Sequence, residues 1–98
     1  MDKHILDVLE KIEELDKTNH FAQLPRPTAQ MLHALALSSQ SKSILELGTS
    51  AGYSTIWLAS AAIKNQGIVY TIDNDQKKVA LARKHFEESR LGNIELIE

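Results

Sequence analysis

The sequence predicts an α/β fold with a parallel sheet, and three observations carry that prediction. Short runs of β-branched and other apolar residues at 44–47, 68–72 and 94–97 are typical of strands. Helical periodicity fills the two intervals between them, and the connections are short. A glycine turn links the first strand to the next helix. Such an alternation implies right-handed parallel crossovers, so the strands are expected in the spatial order three, two, one.

The composition fits one globular domain. The chain has 98 residues, of which 43% are hydrophobic and 24% charged, and its net charge is -2. Basic residues cluster at most in pairs, so no nucleic-acid partner is expected. The absence of cysteine excludes disulfides, thiolate zinc sites and cysteine nucleophiles, and it fits a cytoplasmic protein. Because no apolar run approaches the roughly 18 residues of a membrane span, no membrane partner is expected either.

An amphipathic helix is predicted at the N-terminus. From Asp2 to about Lys17, apolar residues recur at helical spacing, and the charged residues, Glu13 among them, lie largely opposite. Two interpretations stay open for this helix. It packs on its own domain, or it forms a dimer contact or a lid.

A loop and a second helix follow. The prolines in the segment from Thr18 to Pro27 predict a connecting loop. Thr28 resembles an N-cap, although Pro27 could equally open the helix. The helix is expected to run to about Leu37, with these apolar residues on one side: Met31, Leu32, Leu35 and Ala36.

The first strand contains a carboxylate that needs a partner. Its apolar residues Ile44, Leu45 and Leu47 suit a parallel strand covered on both faces, and Glu46 interrupts them. An unpaired buried charge is costly, so an amine or hydroxyl of a ligand is one expected partner of Glu46. A neighbouring backbone N–H is the alternative.

The turn after this strand is suited to a small ligand. Gly48 and Gly52 allow a sharp turn and a close approach, because glycine reaches positive φ without penalty. Ser54 and Thr55 open a helix whose hydroxyl and N–H donors favour a carboxylate or phosphate. The alternative for Ser54 is an ordinary hydroxyl at a helix start. Tyr53 could stack near a ligand or take a half-buried packing role.

Helices and strands alternate through the rest of the chain. The predicted elements are a helix from Thr55 to about Lys64 that ends at Asn65-Gln66-Gly67, a strand over Ile68–Ile72, a helix to about Ser89 with Asp75 as N-cap, a break at Arg90–Asn93 and a third strand over 94–97. The first strand would lie at one edge, although its sequence is typical of a central strand. More sheet is therefore expected beside it.

The spacing of the acids and glycines narrows the ligand class. Asp73 ends the second strand 25 positions after Gly48 (73 − 48), a spacing suited to an acid that binds ribose, although it could instead cap a turn. Ser50 and Tyr53 stand where a dinucleotide fingerprint has glycines, which disfavours an NAD-dependent oxidoreductase. No P-loop lysine follows. The turn leaves room for a smaller group, such as the amino-acid part of S-adenosylmethionine.

These motifs resemble a known family. The run from Ile44 to Thr55, followed by Trp57-Leu58-Ala59 and Tyr70-Thr71-Ile72-Asp73, resembles the class I S-adenosylmethionine-dependent O-methyltransferases of the catechol and caffeoyl-CoA type. The similarity extends from about Leu24 to Glu98. It implies part of a Rossmann-like three-layer sandwich, with residues 1–42 as an N-terminal helical segment and residues 43–98 as the first βαβαβ half.

The resemblance also implies a cofactor site for S-adenosyl-L-methionine. Glu46 and the backbone of Gly48 and Thr49 would line its methionine moiety. Ser54 would bind its carboxylate and Asp73 its ribose hydroxyls. The complete set of implied cofactor-binding residues is Leu24, Glu46, Gly48, Thr49, Ser54 and Asp73.

The resemblance implies methyl transfer to a hydroxyl-bearing small molecule. In the family, the metal-binding acids lie further along the chain, so a divalent metal is possible in the full-length enzyme but no metal ligand or catalytic residue is assigned here. The four histidines lack metal-ligand spacing. We expect the cofactor-binding part of a longer enzyme or a truncated relative, inactive by itself. The alternative is a non-catalytic module that completes its sheet with another chain, or dimerises through the N-terminal helix or the first strand.

Overall fold

The computed structural model of the protein describes residues 1–20 and 23–98. Helices and strands alternate as predicted from the first strand onward. The elements are α1 (Lys3–Asn19), α2 (Arg26–Ser38), β1 (Ser43–Leu47), α3 (Tyr53–Ala62), β2 (Ile68–Ile72), α4 (Gln76–Ser89) and β3 (Ile94–Ile97), with a 3₁₀ turn at Ile63–Asn65 after α3. None of the helices described combines the length and hydropathy that crossing a membrane requires.

The strands form a parallel sheet in the order β1-β2-β3, as predicted. Strand β2 is central, and its Thr71 lies beside Glu46 of β1. Side chains alternate between the two faces of a strand. The sheet residues that join the hydrophobic core therefore share one face, and they are Ile44, Val69, Ile94 and Leu96.

The other face of the sheet is exposed in the part of the chain that the structure describes. Leu45 and Leu47 of β1 are 64% and 77% exposed, and Ile68 and Ile97 are also exposed. The prediction that β1 is covered on both faces is therefore wrong for these residues. The described elements form the sheet and one helical layer of the sandwich.

Helix α1 packs on its own domain, which is one of the two interpretations left open by the sequence. Its apolar stripe lies in the same core cluster as Trp57 of α3 and Phe86 of α4. Trp57, 5% exposed, is thus a core residue. The residues of the stripe are Ile5, Val8, Leu9 and Ile12. The division between residues 42 and 43 falls in the turn before β1 and stays a prediction.

Helix α2 begins earlier than an N-cap at Thr28 would allow. Pro25 occupies the N-cap position and the helix starts at Arg26, so the expectation for Thr28 is wrong. Pro27 lies in the first turn, where backbone N–H groups have no acceptor within the helix, so the missing N–H of proline costs no hydrogen bond. The apolar side predicted for this helix is only partly buried, because Met31 and Leu35 are 59% and 57% exposed. Part of the predicted loop, residues 21 and 22, lies outside the described residues.

The start of α4 and the end of the 3₁₀ turn lie where the sequence predicts them. The role of glycine at the second boundary differs from the predicted one. Asp75 caps α4 by accepting from the backbone N–H groups of Lys77 and Lys78 at 3.1 and 3.2 Å, as predicted. At the end of the 3₁₀ turn, Gln66 takes the left-handed conformation with φ 60°, and Gly67 does not. Gly67 is needed for space, because a Cβ there would lie 2.7 Å from the Cα of Lys42.

Candidate functional site

The glycine turn between β1 and α3 adopts the conformation that its sequence predicts. Gly48 and Gly52 have φ values of +89° and +92°, which other residues rarely adopt. A Cβ on Gly52 would lie 2.7 Å from Cε1 of Phe86, whereas a Cβ on Gly48 would meet nothing within 4 Å. Gly52 is thus packed against α4, and Gly48 faces open space at the carboxyl end of β1.

A cleft of about 270 Å³ opens beside this turn. It brings together five of the six predicted cofactor-binding residues, all except Asp73. Its lining consists of Gln23, Leu24, Glu46, Leu47, Gly48, Thr49, Ser50, Tyr53 and Ser54. The segment before α2, the end of β1 and the start of α3 therefore meet at one site, as expected for a sheet that binds ligands beyond the carboxyl ends of its strands.

Hydroxyl groups hold the carboxylate of Glu46. Ser54 donates to Oε2, and Thr55 and Thr71 donate to Oε1, the last at 2.9 Å. Thr49 and Thr71 are both buried, and their hydroxyl oxygens lie 2.7 Å apart. Since the proton of Thr71 goes to Glu46, Thr49 donates to Thr71. In this structure the partners of Glu46 are side-chain hydroxyls rather than the backbone N–H considered from the sequence.

Asp73 lies next to the cleft and supports its turn. Its Oδ1 accepts from the backbone N–H of Asp75 and its Oδ2 from that of Ser50, each at 2.9 Å. These two hydrogen bonds hold the pKa of the Asp73 carboxyl below its usual value. Asp73 also lines a neighbouring cleft of about 350 Å³ at the ends of β2 and β3, together with Glu98. The residue thus faces both the glycine turn and the second cleft.

A charged cluster that the sequence did not predict lies next to the cleft. Glu13 of α1 accepts from Nε of Arg26 at 2.7 Å and from its terminal nitrogen at 3.1 Å. Tyr53 donates to the same carboxylate from a side chain that is only 2% exposed. Burial and this hydrogen bond raise the pKa of Tyr53 to about 12, which keeps the phenol protonated. Tyr53 is therefore more deeply buried than the half-buried role predicted for it, and it also lines the cleft.

Three further residues at the site, Thr71, Gln23 and Ser50, were not predicted from the sequence. Thr71 could have been found from the parallel register, which places it beside Glu46. Gln23 and Ser50 carry no signal of their own beyond their closeness to Leu24 and to the glycines. No group of three or more His, Cys, Asp or Glu residues able to hold a metal ion occurs in residues 1–20 and 23–98.

Comparisons with known proteins identify the family of this chain. The sequence profile described as O-methyltransferase matches residues 1–98. A catechol O-methyltransferase of Niastella koreensis is 39% identical over 100 residues, which cover 93% of this chain and 45% of that protein. The chain thus spans less than half the length of this relative.

Two crystal structures show the same fold. An O-methyltransferase from Bacillus cereus in complex with SAH matches with a TM-score of 0.81 and 28% identity, over 92% of this chain and 42% of that one. The O-methyltransferase TomG from Streptomyces achromogenes, in complex with SAM, matches with a TM-score of 0.77 and 28% identity, over 99% and 43% of the two chains. By sequence profile, relatives and fold, this chain belongs to the O-methyltransferase family.

Proposed function

We propose that this chain binds S-adenosylmethionine and forms the cofactor-binding part of an enzyme that methylates a hydroxyl group of a small molecule. One observation carries the proposal. Five residues that the sequence assigns to the cofactor line a single cleft at the carboxyl end of β1. The bound SAH and SAM of the two structural neighbours support the same ligand class.

The donors and acceptors of the cleft fit the amino-acid part of this cofactor. The carboxylate of Glu46 suits an ammonium group, and the backbone N–H groups at the start of α3 suit a carboxylate. The Ser54 hydroxyl, which donates to Glu46 here, would turn from Glu46 to donate to that carboxylate. Gly48 leaves the space that a close approach requires. The side-chain oxygen Oε1 of Gln23, which is buried and has no hydrogen-bond partner among residues 1–20 and 23–98, supplies one more acceptor in the lining.

The cofactor supplies a methyl group on a sulfonium, which an acceptor oxygen attacks directly. This chain's own residues bind and orient it, so their contribution is positioning and electrostatics. Asp73 is placed next to the glycine turn to accept from ribose hydroxyls. A divalent metal stays a prediction from the family resemblance, because the described residues include no cluster that would hold one. A cytoplasmic location stays a prediction as well.

Titration of the isotope-labelled chain with S-adenosylhomocysteine, followed by amide NMR, tests the proposal. We expect shifts at Gly48, Thr49 and Ser54. Glu46→Gln should weaken binding about tenfold, the equivalent of 1.4 kcal/mol, because it removes the charge that faces the ammonium group. Glu95→Gln is the control, since Glu95 is exposed on the opposite face of the sheet. A folded chain without shifts at the cleft would contradict the proposal.

A second candidate function is pairing with another chain. The exposure of Leu45 and Leu47 on an edge strand favours it, since natural sheets usually protect such edges. In this case the chain would complete its sheet with a second copy of itself.

A further inference from the structure

The carboxylate of Glu13 lies where three helices meet. Glu13 belongs to α1, Arg26 is the first residue of α2, and Tyr53 is the first residue of α3. Arg26 binds both carboxylate oxygens in a fork, and Tyr53 donates to one of them. The guanidinium carbon of Arg26 also lies 5.7 Å from the ring centroid of Trp57, within cation–π range. Glu13, Arg26 and Tyr53 are called the helix clamp below.

The helix clamp connects two separate segments of the cleft lining. Leu24, a lining residue, precedes Arg26 by two positions. Tyr53 lies between Gly52 and Ser54, which donates to Glu46 inside the cleft. Fixing Arg26 and Tyr53 to one carboxylate therefore fixes the segment before α2 relative to the start of α3.

We infer that Glu13 and Arg26 are positioning residues that set the width of the cofactor cleft; this inference rests on the proposed function. Glycines give the turn little rigidity of its own, so contacts with other elements hold it. Asp73 and His85 hold its middle at Ser50 and Ala51, and the helix clamp holds Tyr53 at its end. A forked guanidinium–carboxylate pair is directional, and neither a lysine nor an amide reproduces it. The clamp thereby extends the cofactor site to α1, which contributes no residue to the cleft lining.

A second ion pair on α1 provides a matched control. Lys11 binds Glu88 of α4 at 3.0 Å, with side chains 41% and 39% exposed. The Arg26–Glu13 pair is similarly placed, with side chains 34% and 31% exposed. Both pairs attach α1 to the rest of the molecule, but Lys11 and Glu88 border a different depression, with His4, Asp7 and Val8, and are absent from the cleft lining.

The experiment is the amide NMR titration with S-adenosylhomocysteine, applied to Glu13→Gln, Arg26→Lys, Tyr53→Phe and the control Glu88→Gln. Circular dichroism first establishes that each variant is folded at the titration temperature. We expect the dissociation constant to rise about tenfold in Glu13→Gln and Arg26→Lys. Without ligand, the amide signals of Leu24 and Ser54 should move together in both. Glu88→Gln should leave these signals and the affinity unchanged.

The combined variant tests whether Glu13 and Arg26 act as one unit. If the two residues act as one unit, Glu13→Gln with Arg26→Lys should weaken binding no more than either change alone. Tyr53→Phe keeps the packed ring and removes only the hydroxyl that donates to Glu13. If Glu13→Gln does not fold, Tyr53→Phe replaces it in the titration, and we expect weaker binding there too. Equal affinity in all folded clamp variants would overturn the inference, and so would an equal loss in Glu88→Gln. Absence of binding by the unsubstituted chain would instead contradict the proposed function.

Discussion

His85 shows how a single buried side chain supports the glycine turn. It lies on α4 with no exposed surface, and its Nδ1–H donates to the carbonyl oxygen of Ala51 at 2.7 Å. Its Nε2 is buried without a hydrogen-bond partner in the part of the chain that the structure describes. Burial lowers the pKa of His85 from its usual 6.5, because a charged imidazolium would be poorly solvated there. The neutral ring is therefore the form that the fold selects.

The folded protein should lose stability on mild acidification because of His85. Its pKa is lower in the folded than in the unfolded state, so the stabilisation is complete above the unfolded value of 6.5 and declines as the pH falls toward the folded value. Lys11, Lys84 and Glu88 face the ring, and the two lysines lower its pKa further. Urea unfolding at pH 7.5 and 5.5 should show a decrease that His85→Gln reduces. The same decrease in His85→Gln and in the native chain would contradict this assignment.

Functional residues are easiest to identify from the sequence when the residues they act with are close by in the chain. Gly48, Gly52 and Ser54 belong to one turn, and their pattern alone predicted the cleft. Glu13 could not be assigned in this way. Its partners Arg26 and Tyr53 are 13 and 40 positions away, and helical periodicity alone placed it on the charged side of α1.

Helix ends are the elements where local sequence and packing compete most clearly. Helix α4 follows local sequence, because Asp75 accepts from two backbone N–H groups of the first turn. At the start of α2, Arg26 is held by Glu13 of another helix, and the helix begins before the local capping residue Thr28. The reason for Gly67 was likewise hidden, because the backbone of Lys42 approaches it from a distant turn. Element existence was thus predictable, whereas boundaries set by tertiary contacts were not.

The contribution of the Asp75 cap to the free energy of unfolding should be measurable with a single substitution. Asp75→Ala removes both hydrogen bonds to the first turn and should reduce the free energy of unfolding by about 1 kcal/mol. The adjacent Asn74→Ala is the control, because Asn74 is exposed and outside the helix. Chemical denaturation of the three proteins gives the comparison. Equal losses in the two variants would mean that the cap contributes nothing specific.

At the scale of the whole molecule, the topology was predictable and the coverage of the sheet was not. Short connections and crossover handedness determine the order β1-β2-β3. The apolar sequence of β1 indicated a strand covered on both faces, and here Leu45 and Leu47 are exposed. Apolar residues in a strand indicate that its faces are suited to burial, but they do not indicate which part of the protein or of a partner covers each face. This exposed face is what favours the second candidate function.

Sedimentation across a range of concentrations tests whether a second copy pairs with the edge strand β1. If two copies pair there, the chain should dimerise with increasing concentration, and Leu45→Lys should shift it to monomer by placing a charge on an exposed edge strand. Leu45 is absent from the cleft lining, so this variant should still bind S-adenosylhomocysteine. Met31→Lys is the matched control, because Met31 is similarly exposed but lies on α2. A monomer at every concentration would eliminate pairing of two copies, while leaving the cofactor site as proposed.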